Sequence, residues 1–370
     1  MKVLQRIPLV DLAAQQAEVD EEVQAGLKAV FASTAFIGGP DVAQFEEGYA
    51  RLVGARHCVG VANGTDALEL ALRASGVTPG GEVILPANTF IATAEAVSRI
   101  GARPVLVDVD PTHLLIDPSR VAEAMTEATQ AIVPVHLFGQ VAPVELLEPI
   151  ARSSGAVIIE DAAQAQGASR RSRAAGSWGL AAGTSFYPGK NLGAAGDAGA
   201  VTTDSDEIAA RVRLLGAHGS AVKYQHEVIG MNSRLDTVQA VVLNAKLSRL
   251  ERWNDRRRAA AANYAELLAN VPGVELPRTA EGNIDVWHLY VIRIVERDRV
   301  LRALTDAGIG VGVHYPVPVH LTAAFAHLGY SAGSFPVAEK AADTMLSLPL
   351  YPHITPEQQE YVVENLERVL

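Results

Sequence analysis

Between Arg56 and Asp204, seven short runs rich in apolar and β-branched residues alternate with longer helical stretches. This alternation limits the fold more tightly than any other feature, because strands separated by a helix-length segment pair in parallel within an α/β sheet. The strand candidates are His57–Ala62, Glu82–Leu85, Arg103–Val109, Ala131–Val135, Val157–Glu160, Thr184–Tyr187 and Ala198–Thr203. Val157-Ile158-Ile159 is apolar without a break, as in a strand covered on both faces. Ligands on such sheets sit outside the carboxyl ends of the strands. Three chemically distinctive loops fall there. Asn63-Gly64-Thr65-Asp66 leads into an apolar helix from Ala67 to Ala74. Asp161 closes the fifth run, with Gln164 three residues on. Lys190 follows the hydroxyls of Thr184 and Ser185 and has Gly189 and Gly193 close by.

Taken in this order, the three loops suggest a pyridoxal phosphate site. That cofactor needs an amine to hold its aldehyde as a Schiff base, and Lys190 is the candidate. Its ring nitrogen withdraws electrons only when protonated, a state that a carboxylate such as Asp161 enforces. Its phosphate needs N–H groups at a helix start, which Gly64 and Thr65 supply, with the Ser185 hydroxyl approaching from another strand. Each piece alone has a plainer reading: a solvated loop lysine, a turn-capping aspartate, an ordinary strand-to-helix turn. Their order along the chain is what favours the cofactor.

The motifs extend well beyond these loops. They are Asn63-Gly64-Thr65-Asp66-Ala67-Leu68, Pro86-Ala87-Asn88-Thr89-Phe90, Glu160-Asp161-Ala162-Ala163-Gln164 and Ser185-Phe186-Tyr187-Pro188-Gly189-Lys190-Asn191-Leu192-Gly193. Gly230-Met231-Asn232-Ser233-Arg234-Leu235-Asp236 and Val313-His314-Tyr315-Pro316-Val317-Pro318-Val319-His320-Leu321 follow. With them the chain resembles the DegT/DnrJ/EryC1/StrS group of sugar aminotransferases, within the fold type I superfamily of pyridoxal phosphate enzymes. The resemblance implies a mostly parallel seven-stranded sheet between helices and a smaller C-terminal α+β domain. It also implies Phe90 stacked on the cofactor, Gln164 near the ring hydroxyl, and Asn232 reaching the phosphate of a neighbouring subunit in a homodimer. Tyr187 falls near the reacting carbon. His314, Tyr315 and His320, with the Lys223-Tyr224 loop, fall around the sugar pocket. The branch most resembled aminates C-3 of dTDP-linked 3-oxo-6-deoxyhexoses, with L-glutamate as donor.

Alternatives accompany these assignments. Phe90 equally suits a core aromatic at a helix start, Asn232 an N-cap, and Gln164 a surface amide. Amination at C-4 is the nearest competing activity. A related sugar dehydratase carries histidine where this chain has Lys190, and a non-catalytic regulator of the same fold requires a failed cofactor linkage.

Beyond Asn232, Arg234 to Asn270 contains no glycine or proline and reads as one long helix. A smaller region follows, with a strand at Trp287–Ile294, a helix near Arg297–Ala307 and a last helix from Pro356 to Leu370. The expected division is 1–245 for a cofactor-binding domain and 246–370 for the small one. Near the start, helices are expected at Gln15–Ala32 and Val42–Leu52.

The formal charge of −11 opposes non-specific binding to nucleic acids or anionic membranes. Cys58 is the only cysteine, so no intramolecular disulfide forms, and its apolar neighbours mark it as a buried thiol. No apolar run reaches the roughly 18 residues of a membrane span. Met1–Arg6 lacks the apolar core of a signal peptide, and a cytoplasmic setting is the default. The ten histidines form no His-Glu-x-x-His or zinc spacing, so no metal is expected. A dinucleotide glycine fingerprint and a Walker phosphate loop are both missing.

Overall fold

The computed structural model describes residues 6–370, so the expectation for Met1–Arg6 lies, Arg6 apart, outside the described residues. Seven strands form the main sheet: β1 (His57–Val61), β2 (Glu82–Pro86), β3 (Arg103–Val107), β4 (Thr129–Ile132), β5 (Val157–Asp161), β6 (Ala181–Ser185) and β7 (Gly199–Thr203). Their spatial order is β1-β7-β6-β5-β4-β2-β3. All neighbouring pairs are parallel except those of β7, which runs antiparallel to β6 and β1. The link from β6 to β7 explains the exception. Residues 186–198 form a short helix-free return that brings the chain straight back beside the strand it left, whereas the equally helix-free but longer link 162–180 carries the chain back to start a parallel strand.

This arrangement gathers the carboxyl ends of β1, β5 and β6. Gly199, the first residue of β7, is registered against both Val61 and Ser185. A Cβ on Gly199 would lie 2.4 Å from the Asn63 carbonyl oxygen, and one on Gly64 would lie 2.5 Å from Ser185 Cβ. Two glycines thus let the loop after β1 close onto the loop after β6.

The helix Gly64–Ala74 packs across the sheet with nearly its whole length buried, including Leu68, Leu70 and Leu72. A second apolar core assembles from Tyr264, Leu268, Ile292, Leu304, Leu346 and Val362, and takes in Ile7 from the start of the chain. It surrounds a small antiparallel sheet of Val274–Glu275, Tyr290–Ile294 and Met345–Leu348. The last of these strands is one that the sequence does not announce. The final helix runs Pro356–Val369 behind a capping box made by Thr355 and Gln358.

Three sequence expectations need correction. The first helix divides into Leu12–Ala17 and Asp20–Ser33. The single long helix divides into Thr237–Leu247 and Leu250–Leu268. There the Ala245 carbonyl accepts from Ser248 Oγ (3.0 Å) and Arg249 Nη1 (2.8 Å), while the Arg249 N–H turns back to Lys246 O (2.9 Å). Side chains have taken the acceptor that the helical ladder requires. The strand expected from Trp287 begins only at Tyr290, because Trp287 adopts a left-handed φ of 46° and Arg257 Nη1 donates to its carbonyl (3.2 Å).

Candidate active site

A cavity of about 560 Å³ opens at the gathered strand ends. Gly64, Thr65, Phe90, Asp161, Gln164, Ser185, Tyr187, Lys190, His314 and Tyr315 all border it.

At one wall the helix Gly64–Ala74 begins. Asn63 caps it, its Oδ1 accepting from Asp66 N–H (2.8 Å) and its carbonyl from Ala67 N–H (3.0 Å). The Gly64 and Thr65 N–H groups are left without intrahelical partners and with the positive end of the helix dipole behind them. Ser185 stands against Gly64, so donors from a helix start and a strand end share one small volume.

Opposite stands Asp161, 6% exposed, at the end of β5. Its Oδ2 accepts from Thr93 Oγ1 (2.7 Å) and its Oδ1 from Ala163 N–H (3.1 Å). Lys190 lies in the turn after β6, where its N–H donates to Tyr187 O (2.8 Å). A Cβ on Gly193 would come within 2.2 Å of Pro188 O, which keeps this turn tight. Desolvation pushes the Lys190 ammonium down to about 8, with the Asp161 charge resisting the shift. The lysine is thereby a partly deprotonated amine near neutral pH.

The C-terminal segment forms the third side. Tyr315 tilts against Phe90 with ring centroids 5.1 Å apart, and its hydroxyl accepts from Gln164 Nε2 (3.0 Å). Burial, with Asp161 nearby, raises the Tyr315 phenol, so it stays protonated. Gln164 Oε1 accepts from Phe138 N–H (2.7 Å), leaving one amide hydrogen free. His314 Nδ1 lies 2.8 Å from Ser347 Oγ. Burial first, and then the Lys190 charge, push His314 down to about 4, making it a neutral imidazole.

Four expected site residues are not in this cavity. His320 is buried elsewhere: its Nε2 lies 2.9 Å from Glu339 Oε1 and its ring meets Phe335 edge-on. Glu339 also receives the N–H groups of Gly333 and Phe335, so His320 anchors a loop, which corrects its assignment to the sugar pocket. Lys223 and Tyr224 sit on an exposed loop, the ammonium 5.0 Å from the ring centroid, and do not reach the cavity of their own chain. Asn232 borders an adjoining cavity of about 450 Å³ that shares Asn63 and Asp197 with the first. Its Oδ1 accepts from Arg234 Nη2 (2.8 Å), and the helix that follows is capped at Asp236, so Asn232 is not an N-cap.

Sequence reasoning passed over Thr93, which holds Asp161, and His288, which borders the cavity beside Lys190. Thr93 follows Thr89 by four residues, and this pair of hydroxyls on either side of Phe90 is the signal that marks it. His288 carried none, since it fell inside a segment read as strand.

The residues present fit pyridoxal phosphate. A cradle that any Cβ at position 64 would fill adjoins free helix-start amides, a buried carboxylate and a desolvated lysine. Comparison with known proteins agrees. Residues 17–367 match the DegT/DnrJ/EryC1/StrS aminotransferase family. The chain is 46% identical to a "Pleiotropic regulatory protein" of Geobacillus stearothermophilus, covering 97% of each. It is 45% identical to the dTDP-3-amino-3,4,6-trideoxy-alpha-D-glucose transaminase of Streptomyces venezuelae, covering 97% of this chain and 95% of the relative. Among solved structures, DesV of S. venezuelae in complex with a ketimine intermediate superposes with a TM-score of 0.96 at 45% identity, covering 99% of this chain and 98% of that one. The chain belongs to the DegT/DnrJ/EryC1/StrS aminotransferase family and is a pyridoxal-phosphate-dependent aminotransferase.

Proposed function

We propose that this enzyme transfers an amino group from L-glutamate to C-3 of a dTDP-linked 3-oxo-6-deoxyhexose. The observation that carries the reading is the meeting of Lys190, Asp161 and the Gly64–Thr65 helix start in one cavity. The similarity to a dTDP-3-amino-sugar transaminase supports the substrate class and the position on the sugar. When bound, pyridoxal phosphate supplies an aldehyde that exchanges between amines and a ring that draws electrons from the adjacent carbon.

In this reading Lys190 Nζ holds the cofactor and, once released, carries protons. Asp161 keeps the ring nitrogen protonated. Gly64, Thr65 and Ser185 bind the phosphate, Phe90 covers the ring, and Gln164 turns its free amide hydrogen toward the ring hydroxyl. Tyr187, His314 and Tyr315 border the sugar. Asn232, Lys223 and Tyr224 act on a neighbouring copy, so the working unit is a homodimer with shared sites. The break after Leu247 supports a division into 1–245 and 246–370, since most of the second core lies beyond it. A cytoplasmic setting completes the reading. No helix among the described residues is long and apolar enough to cross a membrane.

A regulatory role is the second reading, favoured by the name of the Geobacillus relative. The visible spectrum separates the two. The purified protein should be yellow and should bleach on adding glutamate, and a dTDP-3-ketosugar should restore the colour. Lys190→Ala should fold normally and lose turnover. A protein that stays colourless with added pyridoxal phosphate would point to the regulator, and recovery only with a 4-ketosugar would move the reaction to C-4.

A further inference from the structure

His288 is buried, borders the cavity, and is tied to a chain of amides whose direction is fixed at its far end. Asn254 Nδ2 donates to the Gln166 carbonyl (2.9 Å), which can only accept. Asn254 Oδ1 is therefore the acceptor for Asn191 Nδ2 (2.9 Å), which also donates to the Val286 carbonyl (2.9 Å). Asn191 is oriented by both bonds, so its Oδ1 is the atom facing His288 Nδ1 at 3.2 Å. That nitrogen must carry the hydrogen. If His288 is neutral, its Nε2 bears a lone pair.

The surroundings do hold it neutral. Burial comes first, and the charges of Lys190 and Arg257 add to it, keeping His288 well below the usual histidine range. No carboxylate opposes them through a hydrogen bond to the ring. The backbone is held as firmly. Arg257 Nη1 donates to the carbonyls of Trp287 and Leu350, and a Cβ on Gly139 would press 2.7 Å from His288 N. The Nε2 atom has no hydrogen-bond partner among the described residues, yet it is not one of the sealed, unpartnered buried atoms. His288 lines the cavity that Lys190 also borders.

We propose that His288 is a positioning residue for Lys190: a neutral imidazole, fixed as the Nδ1–H tautomer by Asn191 and Asn254, whose Nε2 lone pair accepts a hydrogen bond from the lysine amine when the lysine is free of the cofactor. This rests on the reading of Lys190 as the cofactor's amine. A free lysine swings through many rotamers, and an acceptor built into the wall holds it where it exchanges protons with substrate. Because the imidazole takes no proton itself, the lysine remains the sole base.

The test uses the full-length enzyme labelled with ¹⁵N-histidine, with His288 assigned by the signals lost in His288→Phe. Near neutral pH, His288 should appear as the neutral Nδ1–H tautomer; an imidazolium or the Nε2–H tautomer overturns the proposal. In His288→Phe, kcat should fall about 30-fold, and the isotope effect with α-deuterated glutamate should rise as proton transfer becomes limiting. His288→Gln, which returns an acceptor near the Nε2 position, should recover most of the loss. Unchanged kcat and isotope effect in His288→Phe would reduce His288 to a wall residue. Borohydride should fix the cofactor on the Lys190 peptide in every variant. If it labels another residue in the unaltered enzyme, the reading of the site fails, an outcome distinct from a wrong tautomer or a silent His288→Phe.

Discussion

Glu160 and Asp161 are neighbours at the end of one strand, both buried and both acidic, and the fold uses them in opposite ways. Successive side chains on a strand point to opposite faces, so the two carboxylates enter different surroundings. Glu160 is consumed by protein. Its Oε1 accepts from the N–H groups of Trp178 (2.7 Å) and Gly179 (2.8 Å), and its Oε2 from Gly176 (2.8 Å). His136 Nε2 lies 2.7 Å from Oε2 and His136 Nδ1 accepts from Ala142 N–H, so the ring is a neutral Nε2–H donor. Asp161 receives two hydrogen bonds and turns its remaining acceptor capacity to the cavity. A buried carboxylate with every lone pair taken holds structure together; one left with open acceptor sites beside a desolvated lysine is available for chemistry.

Substituting the pair one at a time tests that contrast. Asp161→Asn keeps shape and the acceptor Oδ1 but removes the charge that, in the proposed function, secures the ring-nitrogen proton. We expect kcat/KM to fall roughly 10³-fold, about 4 kcal/mol of barrier, with a melting temperature within a few degrees of the parent. Glu160→Gln should behave in the reverse sense. It leaves a buried cluster of amide donors short of an acceptor, and urea unfolding should show a loss of about 3 kcal/mol, with activity per folded molecule within about threefold of the parent. A stable, inactive Glu160→Gln beside an unstable, active Asp161→Asn would reverse the assignment.

How much of this could be read from the chain differs between the two carboxylates in an informative way. Asp161 is legible because it closes an apolar strand in a motif shared with Gln164 and is followed by the Lys190 loop, while the hydroxyl that holds it, Thr93, lies 68 residues away and outside that motif. Glu160 stood in the same motif with no assigned role. Its partners, His136 and the 176–179 turn, are ordinary residues that only the closed sheet brings together. The main sheet was legible for a related reason. Apolar runs separated by long crossovers favour parallel pairing, whether the crossover is a helix or, as in 162–180, an irregular excursion, and the one antiparallel strand follows the short return through 186–198. The small sheet was less so. Met345–Leu348 is four residues long and follows its helix without a turn signal. The broken helix at Ser248–Arg249 was hidden by good helix formers, because the break comes from side chains competing for the Ala245 carbonyl rather than from propensity. His320 misled because its position in a motif beside His314 says nothing of which way its ring turns.

The smallest effect should come from the group that sets Asp161 in place. Thr93 Oγ1 gives its single hydrogen to Asp161 Oδ2, so the 2.7 Å contact between Thr93 Oγ1 and Thr89 Oγ1 must be donated by Thr89. Two hydroxyls in series thereby aim one carboxylate oxygen and leave the other toward the backbone at Ala163. Thr93→Val preserves the branched shape on the helix Ile91–Arg99 and deletes the bond. A hydrogen bond to a charged group contributes about 1.5–3 kcal/mol, part of which Asp161 recovers by turning toward the cavity. Stability should fall by about 1 kcal/mol and kcat/KM by roughly tenfold, with Thr93→Ser restoring both. If Thr93→Val lost stability alone, the hydroxyl chain would belong with Glu160 on the structural side of the strand. A loss of activity alone would make orientation of Asp161, and not its burial, the property that Thr93 supplies.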